Sequence, residues 1–246
     1  MSKVALITGA GRGIGAATAG ELGRRGFHVV VNYRGDAVSA EKVVAEIERE
    51  GGTAESARAD VRDPEQVAAL IRGRDTLDAL VCNANITPPF APLDAMTWED
   101  FIGKVDGELA AVFHLTKRVL EVMRGRRSGR IVYVSSLSAE LTRPGAIAHA
   151  TAKAALDTFA RHVAAEAGPY GIGVNVVAPG AVRTDATAQM MTPEVEKARA
   201  ERSVLHRMLE PEDVAKVIAA AVGGDLQATT GIRIPVDGGS RVLSAP

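Results

Sequence analysis

From Val4 to Gly15 the chain reads Val-Ala-Leu-Ile-Thr-Gly-Ala-Gly-Arg-Gly-Ile-Gly, an apolar run that breaks into glycines and then into helix formers. This order predicts a buried strand, a tight loop and a helix. Gly9 takes the turn off the strand, Gly13 lets the backbone approach a pyrophosphate, and Gly15 lets the helix pack close to the sheet. Ala16, Ala17, Ala19, Gly20, Leu22 and Gly23 continue at helical period. The free N–H groups and positive dipole end of such a helix suit an anion, so a bound dinucleotide is expected.

The rest of the chain repeats the alternation. Phe27–Asn32 predicts a second strand, followed by the loop Tyr33-Arg34-Gly35-Asp36 and a charged helix over 37–50 that stops at Gly51-Gly52. Thr53–Ala59 predicts a third strand, after which Asp63 can cap a helix with Pro64 at its first position. Further strands are expected at Leu77–Cys82, Arg130–Ser135, Ile172–Ala178 and Gly231–Val236. Thr97 is set to cap a long helix from Trp98 to about Arg124, Gly145–Ala167 reads as an alanine-rich helix, and Pro211 opens one ending near Val222. Alternating strands and helices favour a doubly wound α/β fold with a parallel sheet covered on both faces. At 246 residues, with no repeat or linker, the expectation is one domain over 1–246, with a polar, methionine-containing lid segment at about 186–210.

Charge narrows the partners. Lysine and arginine total 29 against 30 acidic residues, a net charge of −1, which gives no polybasic surface for nucleic acid or membrane. A small-molecule partner is expected instead. No apolar run reaches the roughly 18 residues of a membrane span, and Met1-Ser2-Lys3 leads straight into the first strand without a signal-peptide pattern. The single cysteine, Cys82, lies inside an apolar run and reads as a small core residue in a reducing compartment, so a cytoplasmic location is expected. No metal-ligand spacing occurs.

At the end of the second strand an acidic residue would bind the ribose 2′-hydroxyl of NAD. The chain has Asn32-Tyr33-Arg34 there. With Arg34 and the loop residue Arg12 near that position, a 2′-phosphate would be attracted, which points to NADP(H).

With these residues the chain resembles the short-chain dehydrogenase/reductase family, of the 3-oxoacyl-acyl-carrier-protein reductase type. Thr8-Gly9 with Gly13-Ile14-Gly15 is similar to the family's cofactor loop, and Asp60-Val61 to the pair that meets the adenine. Cys82-Asn83-Ala84-Asn85 stands where the family has Asn-Asn-Ala-Gly, and Pro179-Gly180-Ala181-Val182-Arg183-Thr184 resembles the segment beside the nicotinamide. The resemblance covers almost the whole chain. It implies a Rossmann-type sheet of about seven strands and a homodimer or homotetramer built on the two long helices.

The resemblance also brings a departure. In the family a serine is followed thirteen residues later by a tyrosine and four after that by a lysine; here Ser136 is followed at those offsets by His149 and Lys153. The family's asparagine on the long helix aligns with Glu108 when Val112-Phe113 is the anchor. Carbonyl reduction needs a hydride, a donor to the carbonyl oxygen and an acid for the alkoxide. Ser136 can be the donor and Lys153 can hold the ribose. His149 could give a proton as imidazolium, which the Lys153 cation disfavours and Glu108 could offset. The apolar stripe Phe101, Val105, Leu109, Val112, Thr116, Val119 puts Glu108 at its edge, facing either the site or solvent. Three readings stay open: an NADPH-dependent ketoreductase on a polyketide-like or acyl-thioester substrate with a Ser-His-Lys site, a silent NADP(H)-binding subunit beside an active homologue, and a dehydratase or isomerase. His28, His114, His162 and His206 read as structural, and Met190-Met191 either pack the lid or touch substrate.

Overall fold

The computed structural model describes residues 2–184 and 192–243. Seven strands form one parallel sheet: β1 Val4–Ile7, β2 His28–Tyr33, β3 Thr53–Arg58, β4 Ala79–Cys82, β5 Gly129–Val134, β6 Ile172–Pro179 and β7 Arg233–Val236. Their order is β3-β2-β1-β4-β5-β6-β7. The chain reverses direction across the sheet between β1 and β4, and ligands of such sheets bind outside the strand ends at that point.

Alternating side chains divide the core in two. Leu6, Val30, Leu80 and Ile131 face one cluster, while Ala5, Ile7, Val29, Val31 and Val81 face the other. The second face is covered by α1 Gly13–Arg24, α2 Ala37–Arg49 and, packed on α1, α7 Pro211–Gly223. The first is covered by α3 Pro64–Ile71 together with α4 Trp98–Arg126 and α5 Ile147–Ala167, which pack on each other. Two shorter helices, α6 Pro193–Glu201 and α8 Ser240–Leu243, lie late in the chain. The caps sit where the sequence places them. Thr97 accepts from the Asp100 N–H at 3.1 Å, and Asp63 accepts from those of Glu65 and Gln66.

Several boundaries move for identifiable reasons. β4 starts at Ala79 rather than Leu77, because the Asp78 carboxylate takes the Val4 N–H at 2.8 Å. Helix α5 starts at Ile147 because Gly145 has φ +77°, outside the helical region. Helix α4 runs through Gly125 to Arg126, where Arg127 closes it in the left-handed region at φ 50°.

The stripe read on α4 needs correction. Its buried face runs through Lys104, Gly107, Glu108, Ala111, Val112, Leu115, Thr116 and Val119, while Phe101, Val105 and Leu109 are half-buried. Apolar periodicity misses this face because two of its members are charged. Met190-Met191 and the first part of the expected lid lie outside the described residues. Within the rest of that segment, Thr192 caps α6 by accepting from the Val195 N–H. Cys82 is buried among apolar neighbours, and burial pushes its thiol up.

Candidate functional site

The cleft at the sheet's reversal point has a volume of about 490 Å3 and is lined by the glycine loop, residues 32–36, 59–62 and 83–87, and Thr184. Gly9 and Gly13 adopt φ +61° and +55°. A Cβ on Gly15 would stand 2.9 Å from the Ala10 Cα and 2.6 Å from the Asn83 Nδ2, so the helix is as close to the loop as glycine allows. Arg12 occupies the N-cap of α1 without a side-chain hydrogen bond, and the first turn has no acidic residue. The helix therefore presents N–H groups to the cleft with no carboxylate of its own first turn competing for them. Ile14 is half-buried beside them.

Asn83 and Thr8 hold this loop to β4. The Asn83 side-chain amide donates to the carbonyls of Thr8 (2.9 Å) and Gly9 (3.1 Å), and the Thr8 hydroxyl accepts from the N–H groups of Asn83 and Ala84, both at 2.9 Å. Asn83 thus shapes the cleft through the backbone.

At the other end, Asn32 turns its amide to the carbonyls of Ala57 and Ala59, and half-buried Tyr33 packs on the core. Arg12 and Arg34 remain exposed along the cleft wall. Two carboxylates line the same end. Asp36 caps α2, accepting from the Ser39 N–H at 3.0 Å and its hydroxyl at 2.7 Å. Asp60 is gripped by the Arg62 guanidinium at 2.6 Å, which holds its carboxyl down at about 2, while Val61 beside it is buried. On the far side, Pro179 ends β6, the Gly180 N–H donates to the Val236 carbonyl at 2.8 Å, and Val182 bridges to Leu209. Thr184 then reaches the loop, its Cγ2 lying 3.5 Å from where a Cβ on Gly13 would be.

Ser136 follows β5 and caps a short 3-10 turn, its Oγ accepting from the Ser138 N–H at 3.1 Å. Its carbonyl accepts from Arg233 at 2.8 Å. His149 sits in the first turn of α5, with its ring edge toward Phe90 at 6.1 Å between centroids, and Arg143 lies over that Phe90 ring at 4.9 Å. Lys153, one turn further, is buried and donates to the Val134 carbonyl at 2.9 Å and to the Glu108 Oε1. The Glu108 Oε2 accepts from Lys104 at 2.5 Å. Lys104 also donates to the Asn85 Oδ1 at 2.8 Å and the Ile86 carbonyl at 2.7 Å. The structure thus brings Asn85, Glu108 and Lys153 into one network, buried at Lys104, Glu108 and Lys153 and reaching exposed Asn85. Glu108 faces this network and not solvent.

Two cations now share one carboxylate. Burial works to raise the Glu108 carboxyl, but Lys153 and Lys104 outweigh it and hold it below its usual range. Burial and the Lys153 and Lys104 charges, with a lesser push from Arg143, bring His149 down to about 4, against a smaller upward pull from Glu108. Glu108 thus lies close enough to offset the lysines only in part, and the balance favours an uncharged imidazole near neutral pH. Its Nδ1 is buried without a hydrogen-bond partner among the described residues. Lys104 escaped sequence reading altogether. The available signal was its position four residues before Glu108, the spacing of a helical ion pair.

A family model described as enoyl-(acyl carrier protein) reductase matches residues 9–241. A 3-oxoacyl-[acyl-carrier-protein] reductase of Synechocystis sp. is 37% identical, over 97% of this chain and 96% of its own. The chain belongs to the short-chain dehydrogenase/reductase family. Versicolorin reductase 1 of Aspergillus parasiticus is 38% identical, again over 97% of this chain and 96% of its own. A solved short chain dehydrogenase/reductase family protein superposes with a TM-score of 0.88 at 31% identity, covering 98% of this chain and 97% of the other. Members of the short-chain family use nicotinamide cofactors. The glycine cradle and a helix end with no acidic residue in its first turn fit the pyrophosphate of such a dinucleotide.

Proposed function

We propose that the chain is an NADPH-dependent carbonyl reductase of the Ser-His-Lys type, acting on a polyketide-like ketone or an acyl thioester. The observation that carries this reading is one chain joining a dinucleotide cradle to Ser136, His149 and Lys153 at the family's spacing. The names of the relatives support the substrate class. Gly9, Gly13, Ile14 and Gly15 would hold the pyrophosphate, and Asp60-Val61 the adenine. Ala84, Asn85, Pro179, Gly180, Val182 and Thr184 would line the nicotinamide end.

The bound cofactor would supply the hydride. Ser136 then orients the carbonyl oxygen by donating its hydroxyl proton in a hydrogen bond, and the Lys153 ammonium stabilises the negative charge that develops on it. A neutral imidazole still carries one N–H donor and one acceptor nitrogen. The neutral His149 therefore relays the proton the alkoxide needs, giving up its ring N–H while its other nitrogen takes a proton from solvent, so no imidazolium acid is required. The rate should accordingly stay level from pH 8 through 6 instead of falling as pH rises through about 6.5, the ordinary histidine value. His149→Ala should slow turnover by roughly ten- to a hundredfold with little change in NADPH affinity. Steady-state kinetics over a carbonyl panel tests this, and an unchanged rate in His149→Ala would remove His149 from the reaction.

The arginines set cofactor choice. Arg34 and Arg12 would meet the 2′-phosphate, and the carboxylates that share this end, Asp36 and Asp60, are engaged by Ser39 and Arg62. A charge-assisted contact contributes about 1.5–3 kcal/mol, so NADPH should bind roughly ten- to a hundredfold more tightly than NADH. The assembly is proposed to be a homodimer or homotetramer through α4 and α5, where Trp98, Ile102, Phe113 and Ile147 are exposed. Light scattering that gave only the 25.7 kDa single-chain mass would argue against it.

The neutral His149 and the engagement of Lys153 by Glu108 favour a second reading, a nucleotide-binding subunit without turnover that supports an active homologue. If the wild type reduces nothing in the panel and His149→Tyr with Glu108→Asn does, this second reading holds.

A further inference from the structure

Lys104 is among the largest fully buried side chains, on a helix face otherwise continued by Ala111, Val112 and Leu115. Packing alone would be served there by leucine or methionine. A buried ammonium is costly unless all of its donors are met. Each of the three Lys104 protons has an oxygen: the Asn85 Oδ1, the Ile86 carbonyl and the Glu108 Oε2, at 2.8, 2.7 and 2.5 Å. The cation is built into the fold and linked to the loop after β4 that lines the nucleotide cleft.

Its effect follows from counting charges. Glu108 against Lys153 alone would leave that end of the site neutral. With Lys104 on the other carboxylate oxygen, two cations and one anion leave it with a net single positive charge. We infer that Lys104 is a positioning residue that restores to the Lys153 site the positive charge Glu108 cancels, and that ties this site to the Asn85-Ile86 loop. The charge matters for the proposed reduction, on which the functional part of this inference rests, because it favours an alkoxide. The charged groups acting on His149 are Lys153, Lys104, Arg143 and Glu108. The His149 ring therefore reports the local charge whether or not turnover occurs.

The test compares the wild type, Lys104→Met, Glu108→Gln and the double variant. Methionine keeps the length of the side chain and glutamine the shape of the carboxylate, so charge is the main change. In Lys104→Met the imidazole titration, followed by NMR, should move up by about one unit or more, and kcat should fall at least tenfold. The double variant again carries one net positive charge, so its His149 titration should return close to the wild-type value and kcat should recover to within about threefold. If Lys104→Met does not fold, Glu108→Gln and the double variant still differ by Lys104 alone, and the same upward shift is expected between them. An unmoved His149 titration on removing Lys104, or a double variant no better than the sum of the single losses, overturns the inference. Should the wild type reduce no carbonyl compound, the reductase reading fails, while the titrations still decide the role of Lys104.

Discussion

The two halves of the site are specified in different ways. At the nucleotide end the determinants are backbone: positive φ at Gly9 and Gly13, a missing Cβ at Gly15, and an Asn83 amide used on main-chain carbonyls. At the Lys153 end they are charges, with Lys104, Glu108 and Lys153 buried together and His149 beside them. Backbone geometry tolerates almost no substitution at its few positions. A balance of charges can be rearranged, provided the sum is kept.

The sharpest way to break this contrast is Gly15→Ala. The added Cβ would meet backbone atoms and the Asn83 amide, none of which is a flexible chain end. Overpacking of this kind costs about 1–3 kcal/mol, and more where backbone must shift. The loop should also lose its grip on a pyrophosphate, so NADPH affinity should drop by two orders of magnitude or more, with a lowered melting temperature. Calorimetry and nucleotide fluorescence read both. Wild-type affinity in a stable Gly15→Ala protein would show that the cradle is not set by this contact.

That difference also explains what could be read from the chain. Glycine spacing reports backbone directly, so the strand, loop and helix at residues 4–24 and the sheet around them are visible in the sequence. The Asp63-Pro64 and Thr97 caps are local chemistry and equally visible. The surroundings of Glu108 are not. Its partners come from α4, α5 and the loop after β4, and the charged residues on the buried face of α4 defeat a rule based on apolar periodicity. The fate of the His149 proton depends on the same long-range charges. The positions of Ser136, His149 and Lys153 were legible, and their electrostatics were not.

A smaller effect sharpens the comparison at the adenosine end, where charge acts on an exposed surface. Arg34→Asp should lower the preference for NADPH over NADH by roughly ten- to a hundredfold, leaving the fold intact because Arg34 is exposed. Parallel titration of both nucleotides measures it. An unchanged ratio would assign the 2′-phosphate to other residues.

The proposed chemistry depends most on His149 being neutral, and the titration of its ring measures that directly. A histidine in the unfolded chain titrates near 6.5, whereas in the fold burial and the neighbouring lysines bring His149 down to about 4. Between these values the unfolded chain binds more protons, so the stability tied to this group is fully present above pH 6.5 and is lost as pH falls toward 4. The loss is about 3 kcal/mol. Ring NMR of the wild type, assigned by loss of the signal in His149→Gln, should show an imidazole that stays neutral from pH 8 to about 5 and protonates near 4. A midpoint at or above 6.5 would contradict the account.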